Sequence, residues 1–293
     1  MDDCKRIRCF HYKMLYMEPE IPNFTQPSTL EVVPADPTAA PITGTKFEPV
    51  ASYVHTSIFA VVLMCVAIIS AKLFAIGKLD HTTDTSFHIS KYLPTLTLQW
   101  TMFGITYFGM KQKKVKLGEI IGGWWKSIED FLLDIVVAFG FFVVAIILLA
   151  VFQFILLPWE SMTAESRFDN IGPLAPHGYL ELSILLLVVI SAGFVEEVVF
   201  RGYFTRQFSA LTKSAFIGML LSSALFGFGH IYQGYMMGLI LGLYGFMFTV
   251  LAKLRGNLRP GIIAHMAQDT YSVVALFLLA RHPEWMQFLK HKP

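Results

Sequence analysis

The sequence predicts an all-α, multi-pass membrane protein with about seven transmembrane helices, within a range of six to eight. Hydrophobic residues make up 55% of the 293 residues, charged residues only 15%, and the mean hydropathy is +0.56. These values lie outside the composition of ordinary soluble proteins. Apolar stretches also recur at the roughly 20-residue length that a bilayer core requires. The formal net charge of +2 argues against a nucleic-acid partner.

The apolar stretches define the predicted spans in chain order. We expect them at 54–77, 89–110, 131–157, 180–207, 214–233, 236–253 and 259–280. The second span is the weakest, because Pro94 and several polar residues dilute its hydropathy. An eighth span would arise if residues 115–130 dipped into the bilayer.

Four regions follow from this division. Residues 1–50 hold half of the chain's prolines without a strong period, which predicts a flexible N-terminal tail. We assign residues 51–160 to the N-terminal transmembrane helices, 178–280 to a polar-bearing helical core, and 281–293 to a short C-terminal tail. No sustained apolar segment follows the basic residues near the N-terminus, so we expect no signal peptide.

Basic linkers predict the orientation of the bundle. The segments 111–116, 206–213 and 253–259 carry the clustered lysines and arginines and fall on one side. The positive-inside rule assigns that side, together with the N-terminus, to the cytoplasm. Asp134 lies near the same side, and we interpret it as an interfacial or interhelical partner residue.

Two adjacent carboxylates, Glu196 and Glu197, lie inside the apolar run 182–200. A charged side chain at the bilayer centre costs roughly 2.5–3.5 kcal/mol on insertion scales, so we expect each carboxylate to have an ion-pair partner or a functional role. Arg201 follows Glu197 by one helical turn, and we predict that these two pair. Glu196 points about 100° away around the helix and stays available for another contact.

Two further polar pairs follow in the later spans. Phe226 and His230 lie one turn apart on the fifth span, and His265 and Asp269 lie one turn apart on the seventh. Lipid offers polar groups no partners, so a bundle turns such stripes inward. The last four spans are therefore predicted to enclose one polar cavity.

Helix lengths support this convergence only in part. Counted from the basic end at about 1.5 Å per residue, Glu196 lies roughly 20 Å deep and His230 about 24 Å, whereas His265 lies only ~10 Å deep. Convergence of His265 with the other groups therefore requires helix tilt or a helix start as early as Gly256.

The grouped residues suit water-dependent chemistry. A carboxylate beside a neutral imidazole in a low-dielectric cavity can hold and deprotonate a water molecule. Amide hydrolysis also needs donors aimed at the developing oxyanion, and His265 can supply one. A single intramembrane histidine more often makes an interhelical hydrogen bond, but three clusters together favour a functional site.

The three clusters resemble, in order and spacing, the motifs of the CPBP family. That family groups type II CAAX prenyl endopeptidases with the bacterial Abi proteins of bacteriocin processing and self-immunity. The motifs EExxxR, FxxxH and H-x₃-N/D correspond here to Glu196, Glu197 and Arg201, to Phe226 and His230, and to His265 and Asp269. The resemblance covers about 180–270, while the first three spans and the tail carry none of the motifs.

The resemblance implies an intramembrane endopeptidase with a four-helix catalytic core. Carried over from the family's mechanism, Glu196 is the general base, His230 is its partner in activating water, and His265 with Asp269 supports the oxyanion. Because an ionised carboxylate cannot donate a hydrogen bond, we expect Asp269 to orient His265 and the ring to make the donation.

Supporting roles fall to Glu197, Arg201 and Phe226. The resemblance further implies a protein or peptide substrate, with lipidated peptides as one option, in contact with membrane lipid. It implies a bacterial cell membrane, with the site opening to the cytoplasm. The sequence does not identify the physiological substrate.

Three alternatives stay open at this point. Glu196, His230 and His265 could form a His₂Glu zinc site, but no H-E-x-x-H helix occurs, and the favoured expectation is that neither a metal nor another cofactor is used. A non-catalytic immunity or scaffolding protein is the second alternative. A proton-coupled transporter is the third, and the lack of internal sequence repeats disfavours it.

Overall fold

The computed structural model describes residues 47–77, 85–156, 175–282 and 284–285, and within these ranges the chain is helical without β-strands. The elements are α1 Tyr53–Gly77, α2 Thr85–Gln112, α3 Leu117–Ile121, α4 Ile128–Leu156, α5 Tyr179–Glu196, a π-helical segment Glu197–Phe204, α6 Thr205–Thr212, α7 Ala215–Gly229, a 3₁₀ turn Ile231–Gln233, α8 Tyr235–Arg255 and α9 Arg259–Arg281. Helices lie at all seven predicted span positions.

Within the described ranges, five helices are long and apolar enough to cross a membrane, namely α1, α4, the continuous helix from α5 to α6, α8 and α9. Helix α7 is apolar but has only 15 residues. Helix α2 has 28 residues but does not reach the hydropathy of the five, as the weak second span predicted. Between residues 115 and 130 the five-residue α3 and only the first turn of α4 form, so no eighth span arises there. The prediction of an all-α, multi-pass membrane protein is confirmed.

The central helix is continuous from Tyr179 to Thr212 and contains a π-helical interruption that the sequence did not predict. Its 34 residues extend about 50 Å, longer than the roughly 30 Å hydrocarbon core. In the π segment every residue is buried, and the Phe200 carbonyl accepts from the hydroxyls of Thr205 (2.9 Å) and Ser222 (2.7 Å). π-Helical turns are rare and are often found at functional sites.

The three basic linkers meet at one end of the bundle. Arg206 Nη2 donates to the Glu119 carbonyl at 2.7 Å, and the Leu258 amide donates to the Ile121 carbonyl at 2.8 Å. These contacts join the segment after α2 to α6 and to the turn between α8 and α9. We call this end of the bundle the basic end; its assignment to the cytoplasm stays a prediction.

Asp134 anchors the same end from within α4. Its buried carboxylate pairs with Arg255 at 2.7 Å and with Arg259 at 2.8 Å, and it accepts a hydrogen bond from Trp125 Nε1 at 2.9 Å. A carboxylate so enclosed ties α4 to both sides of the α8–α9 turn. Asp134 is therefore an interhelical partner residue.

The position at which α9 begins explains how His265 reaches the depth of Glu196, which counting along straight helices did not predict. Helix α9 begins at Arg259, so a start near Gly256 is wrong: Gly256, at φ +69°, ends α8 in the left-handed region. The preceding Leu258 packs, with Ile120, so closely against Gly202 that Gly202 has no room for a Cβ atom. Helix α9 therefore begins level with Gly202, about 15 Å above the end of α6 at 1.5 Å per residue.

Small residues also bring α7 and α8 together. Gly227 on α7 lies against Gly238 and Gly242 on α8, so closely that a Cβ atom on Gly227 would meet backbone atoms of α8. Such close approach of backbones is the usual role of small residues in membrane helices. The close contact holds α7, which carries His230 at its C-terminal end, against α8.

Residues just before α1 are held by α6. The amides of Val50 and Ala51 donate to Gln207 Oε1 at 2.7 and 3.2 Å, and Gln207 Nε2 donates back to the Ala51 carbonyl at 3.1 Å. Val50, the last residue of the predicted tail, is thus buried. The rest of that tail up to residue 46, and residues 286–293 of the predicted C-terminal tail, lie outside the described residues.

Candidate active site

Glu197 lies fully buried at the centre of the polar cluster. Its side chain is 0% exposed, and Oε1 lies 3.2 Å from Arg201 Nη1 and 2.9 Å from His265 Nδ1. Arg201 is also buried, with 1% exposure. The predicted pairing of Glu197 with Arg201 is present, and the structure adds His265 as a second partner.

His265 links the sealed carboxylate to two outer ones. Its Nε2 atom lies 3.5 Å from Asp269 Oδ2 and 3.8 Å from Glu196 Oε2. Nδ1 makes the shorter contact, to Glu197, so that bond fixes the ring's rotation. The ring therefore stands among three carboxylates that come from two helices.

Aromatic rings enclose the Arg201 and His265 side chains of the cluster. The Arg201 guanidinium carbon lies 4.3 Å from the centroid of Phe226 and 5.1 Å from that of Phe248, and Phe248 also packs against His265 at 5.2 Å between ring centroids. Contacts of this kind stabilise a desolvated guanidinium. They give Phe226, predicted as a supporting residue, a physical partner in Arg201. Phe248 was missed, because nothing distinguishes it from other aromatic residues of an apolar helix.

His230 lies at the C-terminal end of α7, and the contact of one ring nitrogen determines which nitrogen carries the proton. Nδ1 lies 2.9 Å from the Phe226 carbonyl, which can only accept, so in the neutral ring Nδ1 carries the proton and Nε2 accepts. The ring stacks on Phe226 with centroids 4.6 Å apart. Across the described ranges, no direct hydrogen bond or ion pair joins His230 to Glu196.

Accessibility separates the carboxylates into two kinds. Glu196 keeps 14% and Asp269 29% of its side-chain surface exposed, whereas Glu197 has none. His230 is half-buried. The outer carboxylates can therefore meet water or a substrate, and the inner one cannot.

Tyr244 and Gln268 form a contact beside the cluster that the sequence did not single out. The buried Tyr244 hydroxyl on α8 donates to Gln268 Oε1 on α9, one residue before Asp269. This bond fixes α9 to α8 next to the outer carboxylates. Neither residue belongs to a recognisable spacing pattern, so no signal in the sequence could have found the pair.

A metal ion does not fit the cluster as the side chains stand. Among the residues with described side chains, no three histidine, cysteine or carboxylate groups converge closely enough to ligate one. His265 Nδ1 is occupied by Glu197, and its Nε2 stands 3.8 Å from Glu196. The His₂Glu arrangement is therefore not assembled, and metal independence stays a prediction.

The fold and the cluster define an integral membrane protein with a buried carboxylate–histidine site. Residues 178–271, from the start of α5 into α9, match the family model described as Type II CAAX prenyl endopeptidase Rce1-like. The match confirms, for this segment of the chain, the family resemblance that the motifs predicted. The family is one of peptidases, which implies a peptide or protein substrate. Neither a curated protein nor a solved structure matches the chain.

Proposed function

We propose that the protein is an intramembrane endopeptidase that hydrolyses a peptide bond with a water molecule activated by Glu196. The observation that carries the proposal is the arrangement of three carboxylates around His265, in which the outer two are accessible and the inner one is locked. It occurs inside the segment that matches an endopeptidase family.

Glu196 is suited to the role of general base because its carboxylate is accessible to water and has no partner within hydrogen-bond distance among the described residues. Its nearest ion-pair contact, to His265 Nε2, is 3.8 Å long and exceeds hydrogen-bond distance. The carboxylate therefore retains the capacity to accept a proton from water. Glu197 is fully buried, so it cannot meet bulk water, and its Oε1 atom already contacts Arg201 and His265.

His230 complements Glu196 as a second acceptor for the same water. With Nδ1 donating to the Phe226 carbonyl, Nε2 offers its lone pair. Since the two side chains do not touch, the water itself joins them in this mechanism. General-base catalysis of this kind contributes typically ~10²–10⁴-fold to a rate.

His265 is proposed to stabilise the oxyanion. Glu196, Glu197 and Asp269 bring three negative charges and Arg201 one positive charge, a sum of −2, which a protonated His265 reduces to −1. A protonated ring donates through Nδ1 to Glu197 and presents its Nε2 proton to the developing charge. Glu197, rather than Asp269 alone, is then the residue that orients the ring.

The setting of the reaction is also a proposal. We place the opening of the site and the N-terminus on the cytoplasmic side, because the basic linkers gather at one end. A bacterial cell membrane is the setting that the family resemblance suggests. The substrate is a membrane-associated protein or peptide, and a prenylated C-terminus is one candidate that the family's name suggests.

Comparison of peptide termini in native membranes tests the proposal. Membranes with the wild-type protein should contain new N-termini that are missing with Glu196→Gln and present with Glu129→Gln, a matched change at an exposed carboxylate. Equal sets of termini in all three samples would refute the protease function. Full biological function of an inserted Glu196→Gln variant would favour the scaffolding alternative instead.

A further inference from the structure

A polar cavity lies toward the basic end; none of the three active-site carboxylates lines it, but it shares Arg201 with the candidate active site. It has a volume of about 510 Å³ and lies between the π segment, α6, α7 and α8. The chain before α1 (47–50) and the linker after α2 (113–119) contribute its remaining walls. Nothing in the proposed hydrolysis uses this space.

Two arginines that line the cavity have N–H groups without acceptors. Arg201 Nη2 and Arg206 Nε are buried, and neither has a hydrogen-bond partner among the residues that the structure describes. Each arginine is otherwise fixed, Arg201 through Nη1 to Glu197 and Arg206 through Nη2 to the Glu119 carbonyl. Buried donors are nearly always satisfied in folded proteins, so an acceptor from outside the described chain is expected here.

The charge of the lining calls for an anion. Its charged residues are Lys113, Arg201, Arg206 and Lys253 against Glu48 and Glu119, so four positive charges minus two negative ones leave +2. The two acids and the two lysines are exposed at the rim, whereas the arginines are wholly or half-buried. The interior charges that line the cavity are therefore guanidinium groups, of which Arg201 is also paired with Glu197 outside the lining. Guanidinium groups are weakly hydrated and match the geometry of phosphate oxygens.

The surroundings favour a lipid as the source of that phosphate. The rim residues Lys113 and Lys253 lie at the basic end of a bundle whose long apolar helices can cross a membrane, and we expect anionic headgroups at that end. Met219 lines it from α7, and the next positions around the same helix, Phe216 and Leu220, are exposed large apolar residues. A headgroup in the cavity would thus leave its acyl chains on an apolar helix surface.

We propose that this cavity binds the phosphate headgroup of an anionic lipid, with Arg201 and Arg206 as the inner ligands and Lys113 and Lys253 at the rim. Juxtamembrane lysines and arginines are worth about 1 kcal/mol each toward anionic lipid, which is about a fivefold change in affinity. Removal of both rim lysines should therefore weaken binding roughly 25-fold.

Native mass spectrometry of the full-length protein, released from nanodiscs with phosphatidylglycerol or with phosphatidylcholine, tests the proposal. Wild type should retain one phosphatidylglycerol molecule in preference to phosphatidylcholine. The variant Lys113→Gln/Lys253→Gln should lose that preference, whereas Lys111→Gln/Lys116→Gln, with the same charge change outside the cavity, should keep it. All four lysines are exposed, so none of these changes threatens folding.

Three results would overturn the proposal. The first is an equal loss of lipid in both double variants, which would indicate a general surface effect. The second is displacement of the lipid by inorganic phosphate at equal concentration, which would assign the cavity to a small free anion. The third is a bound peptide in place of a lipid. Because the measurement reads binding and not cleavage, its failure would leave the proposed peptidase function untouched.

Discussion

Neutralising Glu197 is the sharpest structural perturbation that the cluster offers. The carboxylate is fully buried, and its Oε1 atom serves both Arg201 and His265 at 3.2 and 2.9 Å. Glu197→Gln keeps the shape and the acceptor oxygen but removes the charge that balances Arg201. Breaking a buried ion pair by removal of one partner costs about 3–5 kcal/mol, because the remaining charge stays buried without compensation.

We expect a loss near the lower limit of that range, about 3 kcal/mol, because Gln still accepts a hydrogen bond. The contacts of Arg201 with Phe226 and Phe248 exist with and without the Glu197 charge, so they do not reduce the difference. For a domain of this size, about 2–4 °C of melting temperature accompanies each kcal/mol, which predicts a fall of roughly 6–12 °C.

Thermal unfolding of the purified protein in detergent measures this fall. Glu129→Gln, at an exposed carboxylate, is the matched control and should melt like wild type. The double variant Glu197→Gln/Arg201→Gln should lose less stability than the sum of the single changes, because the two residues interact directly. A Glu197→Gln variant that melts within about 2 °C of wild type would refute the reasoning, since it would mean that Arg201 needs no counter-ion.

Two further predictions test the packing and the chemistry. Gly202→Ala should destabilise the protein by about 1–3 kcal/mol, because a Cβ atom there overlaps Ile120 and crowds Leu258. Gly104→Ala, at a helical glycine with open space around it, is the control and should be neutral or slightly stabilising. Equal changes in the melting temperatures of the two variants would contradict the close contact of α9 with the π segment. Peptide cleavage should survive treatment with a metal chelator and should not rise on addition of zinc, whereas a loss that zinc restores would move Glu196 and His265 into a metal site.

The sequence was sufficient for the parts of the fold that hydropathy and local spacing determine. Apolar length predicted helices at seven span positions, all of which are helical, and the four-residue spacing of Glu197 and Arg201 predicted their ion pair. Both follow from local geometry, either the length of a helix in a bilayer or one turn along its surface.

What the sequence did not predict depends on how separate helices align. The meeting of His265 with Glu197 requires α9 to begin deep in the bundle, which follows from contacts of Leu258 with Ile121 and Gly202. The orienting bond of His265 was expected from Asp269 on its own helix, but Glu197 on the neighbouring helix makes the shorter contact. Such interhelical registers leave no periodic signal in a single sequence.

The rate of peptide cleavage by purified Glu196→Gln tests the central claim most directly. With a substrate peptide taken from the comparison of membrane termini, loss of the general base should lower the cleavage rate by about 10²–10⁴-fold. The melting temperature should stay close to that of wild type, because Glu196 makes no contact within hydrogen-bond distance in the described part of the chain. A folded Glu196→Gln protein that cleaves the same peptide at a rate within about threefold of wild type would contradict water activation by this carboxylate.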